Sequence, residues 1–347
     1  MIVGRRIDTM TGGHDFVRLP PSMADSGRTI VVVDDLASNA FDPAGPRPLS
    51  LERAWPWVLR VVWFGLAPVV GQLLGVATDR HSDPVKFAVL ALSGLAWAAS
   101  FLATLIAHPI GLVIMRCTAP AVVAAALWAA LDLNSSDNSH AVLVVVGVVW
   151  AIAAAGTALH PETGHLHVNG PAYPNERRFL LRPGALFQVV VIPLSAALLV
   201  AGVVTGVFLL AAKRWVIGVP VLLIGWAEAF ILSRSLYALA KRFVVFVPAG
   251  FVLHDVSSVR EPHLFRRMSV ESIGAAPADT DALDLTQAAA GLAVEIRFRE
   301  KVDLTLSEGR DRFREGRSAR FLIVPTLPGR LLAEAAERRY PTIPKAP

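Results

Sequence analysis

The chain has 347 residues, 54% of them hydrophobic and only 18% charged, against about 25% charged in ordinary soluble domains. That shortfall argues against a purely water-soluble protein and points to lipid. The formal net charge of +5 reads as the Lys and Arg that membrane proteins gather in cytoplasmic loops, not as a nucleic-acid footprint, and the single cysteine, Cys117, excludes both an internal disulfide and a cysteine-built zinc centre.

Residues 1 to 54 mix Gly, Pro, Asp and Arg, with one β-like stretch, ThrIleValValValAsp at 29 to 34. They are expected to form a largely disordered cytoplasmic tail. The opening MetIleValGlyArgArg has no apolar run behind it, so no cleaved signal is expected.

A helix needs about 20 apolar residues to cross the hydrocarbon core. Six blocks meet that length, at 55–77, 87–107, 110–131, 141–159, 185–212 and 215–239, and define a helical membrane domain over 55–240. Trp55, Trp57, Trp128, Trp150, Trp215 and Tyr237 fall at or near block ends, where amphipathic rings favour the headgroup zone. Only His108 and Pro109 separate the second block from the third, and only Lys213 and Arg214 the fifth from the sixth, which predicts two tight helical hairpins. Gly71 with Gly75 and Gly202 with Gly206 both fit GxxxG, a spacing that lets membrane helices approach closely.

Loop charge sets the expected orientation. The segment 132–140 has no Lys or Arg, whereas 160–184 carries Arg177, Arg178 and Arg182. The first is assigned outside and the second inside, which places both termini in the cytoplasm of a cell-membrane protein. Arg80, Lys86, Lys213 and Arg214 stand against that assignment.

Three charges fall within the blocks: Arg60, Arg116 and Glu228. Intramembrane charge invites a functional reading, and a Glu228–Arg116 pair in the inner leaflet is one expectation. The other is that the arginines extend to the headgroups while Glu228 is protonated or hydrogen-bonded. The segment HisProGluThrGlyHisLeuHis brings His160, Glu162, His165 and His167 close in sequence, the donor types zinc accepts, but their spacing fits no metal template and a solvated loop is expected.

From 241 to 347 the periodicity shortens. PheValValPheVal and PheValLeuHis around ProAlaGly predict a β-hairpin over 243–254. Further strands are predicted at 263–265, 268–274, 282–286, 291–298, 301–306 and 319–324, and an amphipathic helix at 328–340. Arg310, Arg312, Arg314, Arg317 and Arg320 are expected in a hairpin loop, either merely solvated or touching anionic lipid headgroups.

The residues 243–255, MetSerValGluSerIle at 268–273, AlaLeuAspLeuThr at 282–286 and the closing helix resemble the bacterial pleckstrin-homology-like domains. The chain as a whole, with AsnGlyProAlaTyrProAsnGluArgArgPhe at 169–179, resembles a group of multi-pass actinobacterial membrane proteins of unassigned function. The resemblance implies a membrane all-α bundle followed by a small α+β domain: a bent antiparallel sheet with a C-terminal helix. It implies binding of lipid or of another membrane protein.

No Walker, dinucleotide, GxSxG or HExxH motif occurs in the sequence, so no catalytic residue and no cofactor are assigned. The expected function is that of a non-enzymatic scaffold, regulator or assembly partner. The alternatives are a transporter or channel component using the intramembrane charges and a membrane-embedded metal-dependent enzyme.

Overall fold

The computed structural model describes residues 51–134, 140–277, 279–307 and 312–342. The tail expected over 1–54 lies almost wholly outside them, as does Arg310. Six helices are long and apolar enough to cross a membrane: α1 (Leu51–Thr78), α2 (Asp83–Leu105), α3 (Pro109–Asn134), α4 (Ala141–Leu159), α6 (Ile192–Ala211, entered through a π-helical turn at Phe187–Val191) and α7 (Trp215–Ala240). Between α4 and α6 lie a short helix α5 (Pro161–Asn169) and strand β1 (Arg177–Leu180).

Helices α1 to α4 form one bundle. Leu59, Trp63, Leu66, Val70, Leu73 and Ala77 recur along one face of α1 at helical spacing, and all are buried against alanines of α3 and α4. Indole groups tie the bundle across its helices. Trp97 Nε1 donates to the Trp63 carbonyl at 2.8 Å, Trp150 Nε1 to the Val62 carbonyl at 2.9 Å and Trp63 Nε1 to Thr157 Oγ1 at 3.2 Å. Trp150, expected near a span end, therefore sits in mid-helix, packed so tightly on α1 that a Cβ on Gly65 would stand 2.3 Å from its ring.

Helices α6 and α7 form the second predicted hairpin, closed at Lys213 by a left-handed φ of 60°. Their contact is backbone to backbone: a Cβ on Gly202 would lie 2.7 Å from Gly225 Cα, and one on Gly206 would lie 2.7 Å from Leu222 Cα. The Gly202–Gly206 motif is thus a packing site. Gly71 and Gly75 are not, since a Cβ on either would meet nothing from another helix within 4 Å. The hairpin docks on α3 through a small apolar cluster of Val113, Ala196, Leu232 and Leu236, beside Cys117.

After α7 the chain forms β2 (Phe243–Val247), β3 (Gly250–His254), β4 (His263–Arg266), β5 (Val270–Ala275), β6 (Leu283–Asp284), β7 (Val294–Ser307), β8 (Phe313–Ile323) and the helix α8 (Pro328–Glu337). One sheet runs β1-β2-β3-β4 and the other β5-β7-β8-β6. Between them lies an aromatic core of Phe246, Phe251, Phe265, Phe298, Phe321 and Tyr340, into which α8 inserts Leu331 and Ala335. The two strands predicted at 291–298 and 301–306 are one strand, irregular between Arg297 and Val302.

The sheet domain does not begin at 241. Its first strand, β1, comes from the segment between α4 and α6 and pairs antiparallel with β2, Arg177 opposite Phe246 and Leu180 opposite Phe243. Beyond β1 the chain is held on two sides: Leu181 N donates to the Arg242 carbonyl at 2.9 Å, Arg182 N to the Val324 carbonyl at 2.8 Å, and Thr326 N to the Leu180 carbonyl at 2.8 Å. The whole α6–α7 hairpin is an insertion between two neighbouring strands of the sheet domain.

Candidate functional site at the junction of bundle and sheet domain

The charges predicted within the spans do not converge. None of the ion pairs among the described residues involves Arg60, Arg116 or Glu228. Arg60 lies 5.2 Å over the Trp57 ring, with its Nε 3.5 Å from the Thr104 carbonyl. Arg116 reaches toward α5, where a Cβ on Gly164 would stand 3.3 Å from its Nη2. Glu228 is half-buried near the middle of Trp215–Ala240, not nearer the sheet-domain end as the inner-leaflet assignment required. The sequence reading also passed over Arg234, an exposed charge in the same helix one to two turns from its end.

Most of the described part of the arginine run lies in a strand, not a loop. Arg314, Arg317 and Arg320 belong to β8, with Arg312 just before it. Arg317 pairs with Asp303 at 3.3 Å and Arg320 with Asp281 at 2.6 Å, so part of the charge expected to meet lipid is answered within the domain.

The segment expected as a solvated His-rich loop is α5, most of it buried. Pro161 at its first position and the His160 ring, whose Nδ1 accepts from Glu162 N at 3.2 Å, start the helix. A Cβ on Gly170 would come within 1.8 Å of the Ala107 carbonyl, so only glycine lets the helix end press on the α2–α3 turn. The four metal candidates then diverge. His160 lies tilted against Trp55 with ring centroids 4.2 Å apart, Glu162 pairs with Arg330 of α8 at 2.8 Å, His165 lies against Phe179, and His167 Nδ1 and Nε2 face the Thr163 and Ala103 carbonyls at 2.8 and 3.0 Å. No group of three potential metal ligands occurs among the described residues. Burial holds the His167 imidazole below its ordinary pKa against the pull of those carbonyls, with Arg116 and His108 adding to the depression.

Around α5 the polar groups form a joint. Trp55 Nε1 donates to Thr163 Oγ1 at 2.8 Å, and Thr163 in turn donates to the Thr157 carbonyl at 2.6 Å. Asn169 behaves as a strand partner for β1: its Nδ2 donates to the Arg178 carbonyl at 2.8 Å and its Oδ1 accepts from Arg178 N at 2.9 Å. Arg338 of the chain just past α8 donates to the Asn175 carbonyl at 3.1 Å. At the head of β2, Arg242 grips Asp255 through two bonds of 2.8 and 2.9 Å, both side chains buried, with Ser257 and Ser258 completing the carboxylate's shell.

A cavity of about 190 Å³ opens in this joint, lined by Trp55 and Pro56 of α1, Ala107 of the α2–α3 turn, Glu162, His165, Leu166 and Asn169 of α5, Gly170, and Arg177 of β1. It is a small, largely apolar chamber with groups of both charges on its wall, and it lies at the boundary between bundle and sheet domain. Comparison with protein-family models, curated proteins and solved structures returned no match for the chain.

Proposed function

We propose that this protein is a non-enzymatic adaptor of the cell membrane that holds a pleckstrin-homology-like domain in a set orientation at the cytoplasmic face, where the domain meets a protein or lipid partner. The observation that carries the reading is the origin of β1: a sheet that takes a strand from between two spans is not a freely tethered module. The layout of two sheets closed by a C-terminal helix supports the domain type by analogy of fold. The cytoplasmic orientation is supported by Arg53, Arg177, Arg182 and Lys241 at the domain end of the spans, where Arg178 and Arg242 are paired with Glu176 and Asp255, against Arg80, Lys213 and Arg214 at the opposite end, where Lys86 is paired with Asp79.

The test is cross-linking and retrieval of the full-length protein from its native membrane, together with flotation on anionic and neutral vesicles. The native chain is expected to retain one defined partner or to prefer anionic vesicles, and a chain carrying Arg312→Glu, Arg314→Glu and Arg317→Glu to lose that behaviour. Retention of neither partner nor vesicle by the native chain would overturn the proposal.

A second reading, a transporter or channel component, rests on Glu228, a carboxyl near mid-span that enters no ion pair among the described residues. Proton-coupled flux in reconstituted vesicles that survives Glu228→Gln unchanged removes it from any such mechanism.

A further inference from the structure

We infer that the junction cavity binds the headgroup of an aminophospholipid, a group that carries a primary ammonium and a phosphate a few atoms apart. Three observations meet here. The first is depth: Trp55 lies near the start of α1 and Ala107 in the turn between α2 and α3, so the chamber sits at the end of the spans, where headgroups lie, and not in the hydrocarbon. The second is chemistry. Glu162 suits an ammonium, from which its carboxylate accepts, with Trp55 beside it on the wall. Arg177 enters the same chamber from β1 and suits a phosphate.

The third is the lining between these groups. Pro56, Ala107 and Leu166 offer no hydrogen bond, which fits the passage of a glycerol backbone and its first methylenes toward the bilayer. A headgroup with phosphate but no amine leaves Glu162 without a donor from the ligand. A quaternary amine brings charge but no N–H for the carboxylate.

Glu162 also gives the site a reach beyond itself. The residue is 5% exposed and its carboxylate already holds Arg330 of α8, so an ammonium in the chamber joins an ion pair that ties α5 to the C-terminal helix of the sheet domain. On the orientation proposed above, an aminophospholipid of the inner leaflet then bears on the joint where bundle and sheet domain meet, whatever the domain itself binds.

The experiment uses the full-length protein in vesicles containing phosphatidylethanolamine, phosphatidylglycerol and phosphatidylcholine in equal parts, followed by native mass spectrometry of the retained lipid. Phosphatidylethanolamine is expected to be enriched about tenfold, the effect of one hydrogen bond to a charged group. Glu162→Gln, which keeps the side chain's size but cannot answer an ammonium with charge, is expected to abolish the enrichment, and Arg177→Gln to lower retention of all three lipids together; each is expected to lose the protection from thermal unfolding that the lipid gives the native chain. Retained lipid that merely mirrors the vesicle, or enrichment unaffected by Glu162→Gln, overturns the inference. Free phosphoethanolamine added to phosphatidylglycerol vesicles separates the sources: protection from unfolding that matches the lipid's would assign the site to a soluble phosphoamine and overturn the lipid assignment.

Discussion

Arg242 and Asp255 form the best-enclosed ion pair of the sheet domain. Burial alone would raise the Asp255 carboxyl, but the two bonds and the charge of Arg242, with the Ser257 and Ser258 hydroxyls, hold it below the usual carboxylate range. A carboxyl depressed on folding stabilises the folded state above its ordinary value of about 3.9 and loses that contribution as pH falls through the folded value. Acid unfolding of the sheet domain, followed by tryptophan-independent near-UV signal, is therefore expected to begin below about pH 4. Asp255→Asn leaves a buried guanidinium half-answered and is expected to cost about 3–5 kcal/mol at neutral pH in denaturant titration. By contrast Arg317→Gln, at a pair that is mostly exposed on both sides, is expected to cost under about 1 kcal/mol. The Arg242–Asp255 pair was legible: a hairpin that sets Phe243 opposite His254 also sets 242 opposite 255. The Glu162–Arg330 pair gave no such signal, because no local period relates residues so far apart in the chain.

At the scale of elements, the spans were the easy part. Uninterrupted apolar length identifies a membrane helix without reference to any neighbour, and all six appear within a few residues of their expected bounds. The short elements were misread because their reasons lie elsewhere in the fold. Strand β1 has only four residues, and its pairing depends on β2, while α5 is polar in composition yet buried between α1, the α2–α3 turn and β1. The glycine motifs show the same limit. Both have the right spacing, but only Gly202 and Gly206 face a partner helix close enough to need them. Gly202→Leu is accordingly expected to part α6 from α7 and lower the thermal midpoint in detergent, whereas Gly75→Ala should leave it unchanged or slightly raised. Equal effects of the two would mean that the α6–α7 contact is looser than backbone on backbone.

For the molecule as a whole, the insertion of α6 and α7 between β1 and β2 decides what counts as a domain. A fragment of residues 241–347 lacks β1 and with it the buried Phe179 and Leu181, leaving the edge of β2 bare and the aromatic core open on one side. That fragment is expected to aggregate or to bind hydrophobic dyes. A chimaera joining residues 174–183 to 241–342 by a short glycine-rich turn restores the strand and is expected to fold in water, with dispersed amide resonances. If the bare fragment proved equally well folded, β1 would be an accessory to the sheet and not a member of it. Strands closed by a C-terminal helix were foreseen from alternation and turn residues, but as one bent antiparallel sheet; the structure has two sheets, with β6 parallel to β8, and the interlock was not foreseen either, since a strand split from its partner by two membrane crossings leaves no trace in local pattern.

The same interlock bears on how the protein is made. Strand β1 leaves the ribosome about sixty residues before the strand it needs, and two spans must enter the bilayer in between. Until they do, β1 has no β2, and the phenylalanines of the later strands have no closed core to enter. Completion of the sheet therefore reports on successful insertion of the final hairpin: a nascent chain in which that hairpin fails is left with unpaired strand edges and apolar side chains in water, the form that quality-control proteases and chaperones recognise.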